Sequence, residues 1–361
     1  MKIGIITFHY IPNIGAVLQA YALCEFLCEL GYDCEIIDYR CEAIDAKEIK
    51  YKVDGNWFYK ILKLLFNKKK HIDKTRACQE FLYDNSRVSK TIFNKNNIEN
   101  AKELYDVFIS GSDMIWDLGI TDFDKTYFLD FASENVFKIA YASSGTESWN
   151  DNEYPEIKKL LSNYEAIGVR EENTKQILKN IMSIDSELVV DPTLLLDFKH
   201  WETLALCPDE DDYVLVYFPY PEVLNAAQIY ASKYEKKLIV IENSIKRKKY
   251  KKIWPKTPQE WLGYIKNADA IFTDSYHGLI FSLIFQKKVW TANKGSRQKT
   301  LIHKLDIDDV FIKNYNYLEK NDDFENEYVY KLIGFRDKSR LFLKKAIERT
   351  LKENGCETNT L

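Results

Sequence analysis

Short apolar runs rich in Ile, Val, Phe and Tyr recur along this chain, and each is closed by a glycine or a polar residue before a stretch of helical periodicity begins. "KIGIITF" (2–8), "CEIIDY" (34–39), "VFISGS" (107–112), "KIAYASS" (138–144), "AIGVRE" (166–171) and "ELVVDP" (187–192) read as buried strands. Between the first two, Val17, Tyr21, Cys24 and Cys28 fall at helical spacing and Gly31 marks the stop. Strand, helix, strand in that order requires a right-handed crossover and therefore a parallel sheet. This alternation excludes sandwiches, bundles and up-and-down barrels, and it makes the chain α/β.

The alternation pauses after Pro192 and then restarts. Residues 193–210 read as an acidic, proline-containing linker. "YVLVYFPY" (213–220), "KLIVIEN" (237–243), "AIFTDS" (270–275) and "KVWTAN" (288–293) are the next strands, with helices expected near 222–234, over 258–267 and from His277. The expected organisation is two Rossmann-like domains, 1–192 and 211–335, with parallel sheets facing a cleft, followed by an amphipathic C-terminal helix and tail over 336–361. Residues 51–98 break the pattern and read as an inserted helical pair. There Trp57, Ile61, Leu64 and Leu65 share a face, beside Lys60, Lys63 and the run Lys68–Lys70. Two readings stay open for residues 57–70: a helix packed on its own domain, or a peripheral contact with an anionic membrane surface.

Composition narrows the function. A net charge of −4 gives no global field to recruit nucleic acid. No stretch approaches the roughly 20 apolar residues of a membrane span, and the opening residues do not read as a signal peptide. A cytoplasmic protein is expected. The seven cysteines match no zinc spacing, so reduced thiols and no metal are expected.

Residues suited to chemistry gather at strand ends. His277, one of five histidines, follows "AIFTDS" and opens a helix, where unpaired first-turn amides and the helix dipole favour a phosphate or carboxylate. Gly278 permits close backbone approach. The alternative for His277 is a core histidine. Asn13 and Gly15 open the first helix and Gln19 lies one turn in, positions that serve either a ligand or simple capping. Gly111, Ser112 and Asp113 end another strand with small residues and a carboxylate. Arg170 ends "AIGVR" and reads either as a carboxylate clamp or as an ion pair. Arg297 opens the helix after the last strand and offers a second anion contact.

In their order and spacing "NIGAVLQAYAL", "DVFISGSDMIW", "KIAYASSG", "AIGVREENTKQIL", "VVDPTLLL" and "FTDSYHGLIFS" resemble the polysaccharide pyruvyl transferase family, across nearly the whole chain. The resemblance implies a fold similar to the B-type glycosyltransferases, with acceptor on the first domain and donor on the second. It implies transfer of pyruvate from phosphoenolpyruvate to a sugar of a cell-surface polysaccharide or its lipid-linked precursor, forming a ketal without a cofactor; an acceptor on a lipid carrier would be met at the inner face of the cell membrane. His277 stands at the catalytic histidine and Arg170 at a donor-binding arginine. Some members carry a donor-binding arginine two residues before the histidine. Here Ser275 occupies that place, with Arg297 or Lys294 as substitutes. Met114 stands where many relatives have glutamine. Asn13, Gly15, Gln19, Gly111, Ser112 and Asp113 are then the acceptor-side residues. The rival readings are a nucleotide-sugar glycosyltransferase, with Glu242 as a ribose contact, and a non-catalytic binding subunit of a polysaccharide assembly complex.

Overall fold

Ile3, Ile5 and Ile6 are fully buried, because the strand they form has neighbours on both edges and helices on both faces. In the computed structural model this strand, β1 (Lys2–Ile6), lies near the centre of a parallel seven-stranded sheet. Residues 1–49, 72–133, 136–242, 249–293, 295–312 and 327–353 are described. Segment 57–70, with its membrane-surface reading, and Lys294 lie outside them.

The chain divides into two compact units, Met1–Leu195 with Phe335–Leu361, and Leu196–Gly334. In the first, the sheet runs β3-β2-β1-β4-β5-β6-β7, with β2 at Asp33–Tyr39, β3 at Val88–Phe93, β4 at Val107–Asp113, β5 at Phe137–Ser143, β6 at Ala166–Val169 and β7 at Glu187–Leu188. Helix α1 (Ile14–Glu29) is buried along most of its length and ends before Gly31, whose φ of +85° is a left-handed turn. In the second unit the order is β10-β9-β8-β11-β12, with β8 at Tyr213–Tyr217, β9 at Lys237–Ile241, β10 at Lys251–Ile253, β11 at Ala270–Thr273 and β12 at Lys288–Trp290. All pairings between these strands are parallel. In each sheet the order reverses once, between β1 and β4 and between β8 and β11. Those reversals are topological switch points, where crossover helices leave opposite faces and a crevice opens outside the strand carboxyl ends.

Several elements differ from the sequence expectation. Residues 72–85 are helical, but the rest of the supposed helical insertion includes strand β3, whose "VSKTIF" is β-branched and pairs with β2 as an edge. Residues 193–210 include a helix, Phe198–Leu204, anchored by Trp201, which is fully buried and meets Phe281 edge-on at 4.9 Å. The C-terminal helix is longer than expected, Glu327–Glu353. From Phe335 it groups with the first unit, where Ser339 accepts a hydrogen bond from Val190 N and the Arg340 guanidinium donates to Leu195 O. The six described cysteines are free thiols. No helix among the described residues is long and apolar enough to cross a membrane.

A buried polar cluster closes the β1–β2 edge. The Asp38 carboxylate accepts from His9 Nε2 (3.1 Å), Arg40 Nε (2.6 Å) and the Tyr83 hydroxyl (2.7 Å). Burial pushes its carboxyl up, but the hydrogen bonds from His9 and Arg40 outweigh burial and hold it below the usual carboxylate range. A carboxylate depressed on folding stabilises the native state above its unfolded pKa of about 3.9 and loses that contribution as pH falls toward the folded value. Asp38→Asn is therefore expected to lower Tm at pH 7 and to flatten the fall in Tm below about pH 4. Parallel wild-type and variant melting curves at every pH would contradict this.

Candidate active site

At the first switch point, the acceptor-side residues of the sequence reading come together, and most are occupied in holding the backbone. Asn13 caps α1, its Oδ1 accepting from Gly15 N (3.0 Å) and Ala16 N (3.4 Å). Gln19 is fully buried, and its amide nitrogen donates to Thr7 Oγ1, Phe8 O and Ala16 O, bracing the turn that follows β1. Thr7 Oγ1 in turn donates to Ser112 O, so the ends of β1 and β4 are tied. Ser112 Oγ reaches Ala142 O on β5. Gly111 admits no side chain: a Cβ there would lie 2.8 Å from Tyr141 O.

Asp113 ends β4 in a left-handed conformation, φ +68°, unusual for a residue with a side chain. Its carboxylate accepts from Arg170 Nη2 at 2.9 Å, and Arg170 Nη1 donates to Asp191 at 2.6 Å. The Arg170 side chain is fully buried. Of the two readings open for Arg170, its surroundings are those of an ion pair, one that joins the ends of β4 and β6 to the turn after Val190. Asp191 also caps the short turn at Pro192–Leu194 through Thr193 N and Oγ1. Asp191 and His9 were not singled out from sequence. The signals were present in "VVDPT" and "TFHY", a carboxylate and an imidazole each just past a buried run.

At the second switch point, β11 gives way to α10 (Tyr276–Ile284), with Ser275 as its cap accepting from Gly278 N at 3.2 Å. His277 is the second residue of α10 and is 7% exposed, in the first turn, where helix amides point outward and the dipole favours an anion. No acidic residue lies in that turn. Gly278 packs tightly: a Cβ would meet Thr273 Oγ1 at 2.6 Å. Asp274, also missed from sequence, is the organising residue. Its Oδ1 accepts from Ala292 N (2.8 Å), Asn293 N (2.8 Å) and Thr291 Oγ1 (3.1 Å), and its carbonyl accepts from Asn293 Nδ2 and Gln298 Nε2. These bonds fix α11 (Ser296–Leu305) beside α10. The Arg297 guanidinium consequently lies 5.4 Å from the centre of the Tyr276 ring, a cation over an aromatic at the opening turn of α10. Ser275, His277 and Gly278 thus share the opening turn of α10, and Arg297 reaches that turn at Tyr276. Glu242, the candidate ribose contact, pairs with Lys252 at 3.4 Å.

Two parallel α/β units, each with polar residues at its switch point, define a protein of the B-type glycosyltransferase fold. Comparison with solved structures agrees. A putative UDP-N-acetylglucosamine 2-epimerase from Listeria monocytogenes is similar at TM-score 0.53 and 12% identity, over 100% of this chain and 99% of that one. A UDP co-structure of MnaA from S. aureus gives 0.51 and 12%, over 100% and 98%. The UDP-GlcNAc 2-epimerase from Neisseria meningitidis bound to UDP-GlcNAc gives 0.50 and 10%, over 97% and 100%. At these identities the likeness is one of fold. No curated protein sequence matches the chain. The family model for polysaccharide pyruvyl transferase matches residues 13–291, and the chain belongs to that family of transferases.

Proposed function

We propose that this chain transfers the pyruvyl group of phosphoenolpyruvate to two hydroxyls of a sugar in a cell-surface polysaccharide or its lipid-linked precursor. The observation that carries the reading is His277 in the first turn of α10, within the segment that matches the family, with Arg297 over the ring of the neighbouring Tyr276. The helix start and the guanidinium suit the donor's phosphate and carboxylate. His277 gives a proton to the methylene carbon, which becomes the methyl group and leaves an oxocarbenium-like centre at the neighbouring carbon. One sugar hydroxyl adds there and passes its proton back to His277, which is thereby restored as the acid. The second hydroxyl then displaces inorganic phosphate, its proton leaving with the phosphate, and the cyclic ketal closes. Arg297 takes the part of the arginine that Ser275 replaces. Arg170 acts from behind the first switch point by fixing Asp113, one of the acceptor-side residues. The reaction uses no cofactor, and with a lipid-linked acceptor it runs in the cytoplasm at the inner membrane face.

The donor distinguishes this from nucleotide-sugar transfer, which the UDP-bound fold relatives make the natural alternative. Phosphoenolpyruvate at millimolar concentration is expected to raise Tm, and UDP-N-acetylglucosamine is not. The reverse pattern would overturn the reading.

A further inference from the structure

We propose that Phe218 and Tyr220 form a stacking shelf for a pyranose ring of the sugar substrate, so that the second unit, which the sequence reading assigned to the donor, holds part of the acceptor as well. The sequence expectation carried β8 on to Tyr220, but the strand stops at Tyr217 and Phe218 turns into a left-handed conformation, φ +62°. A bulky residue adopts that conformation at a cost, and such outliers gather at functional sites. Here the turn places an aromatic side chain outward: Phe218 is 44% exposed and Tyr220 57% exposed. Their rings lie within 24° of parallel with centroids 6.5 Å apart.

The pair is held rigidly. Pro219 separates the two residues, Pro221 begins α8 (Pro221–Lys233), and Tyr220 N donates to Phe218 O at 2.8 Å. Phe218 is backed by Tyr217, ring centroids 4.8 Å apart, and Tyr217 rests on the buried Trp261 at 5.5 Å. A ligand that stacks here meets a surface already ordered, so little side-chain entropy is lost.

Position selects the occupant. Tyr217 on β8 is the register partner of Thr273 on β11. Phe218–Tyr220 and Ser275–His277 therefore leave adjacent parallel strands at the same carboxyl edge, and these are the two strands that flank the switch point of this unit. A pyranose presents a face of polarised C–H groups, which suits the negative face of an aromatic ring, while its hydroxyls stay at the rim. The choice of a sugar rests on the proposed pyruvyl transfer, in which a hydroxyl pair must reach the carbon next to the one that His277 protonates.

Saturation-transfer NMR with methyl β-D-galactopyranoside, and with uridine in parallel, tests the shelf on the whole protein without turnover. Transfer to the ring C–H protons of the glycoside is expected in the wild type. Its apparent Kd should rise about three- to tenfold in Phe218→Ala/Tyr220→Ala and stay near the wild-type value in Phe218→Tyr and in Tyr220→Phe. Both positions are exposed, so the double variant should keep its Tm, and Tyr220→Ala alone serves if it does not. No glycoside signal in the wild type, an unchanged Kd in the double variant, or a shelf-dependent signal from uridine alone would each overturn the proposal. Glycoside binding that depends on the shelf, in a protein whose Tm phosphoenolpyruvate does not shift, would leave the shelf standing and remove the donor reading.

Discussion

Replacing His277 by alanine is expected to reduce turnover by about 10²–10⁴-fold while leaving the protein folded. The expectation follows from where the imidazole stands. A histidine serving only the core would be held for its packing, and its loss would show first in Tm. This one lies in the first turn of a helix, two residues after its capping serine, at the carboxyl edge of the sheet. Protonating the methylene carbon is the step for which an acid is indispensable, so the loss belongs to kcat more than to the KM for donor. His277→Asn keeps a polar side chain of similar reach and cannot deliver the proton, so it should be as impaired as alanine. A Tm lowered by many degrees, with normal specific activity in the folded fraction, would return His277 to the core.

Arg170→Met should have the largest effect on stability, a loss of about 3–5 kcal/mol. Methionine matches much of the arginine volume but leaves Asp113 and Asp191 facing each other without their counter-charge, where water scarcely reaches. Against a typical total of about 5–15 kcal/mol this is a large fraction. Arg170→Lys keeps the charge but not the fork that spans both carboxylates, and an intermediate loss is expected. Removing the stranded charges as well, with Asp113→Asn and Asp191→Asn added to Arg170→Met, should recover part of the stability. Urea unfolding measures all of these. An Arg170→Met midpoint equal to wild type would show that the three groups are not coupled as the geometry indicates.

The alternation of apolar runs made the two parallel sheets legible, because a strand covered on both faces is written as a continuous run. Edge strands are not. Strand β10, "KKI", has too few buried side chains to leave a pattern, and β3 is half exposed. β7 closes after Leu188, earlier than its valines suggest, because the Val190 amide is taken by Ser339 from a helix some 150 residues away. The site divides the same way. His277 and Arg297 were legible as helix openings, a local property. The tasks of Arg170, Asp191 and Asp274 depend on which strand ends become neighbours, which sheet order alone decides. Phe218 escaped notice because "YFPY" reads as more strand, and only the backbone turn exposes its ring.

The most direct measurement is the reaction run in deuterated water with phosphoenolpyruvate and a lipid-linked or polysaccharide sugar acceptor, followed by mass spectrometry of the glycan and assay of inorganic phosphate. The predicted result is one phosphate released for each ketal formed, with one deuteron in the ketal methyl group and neither product from His277→Ala. A ketal methyl without deuterium, or a sugar modified from a nucleotide donor with no phosphoenolpyruvate consumed, would contradict it.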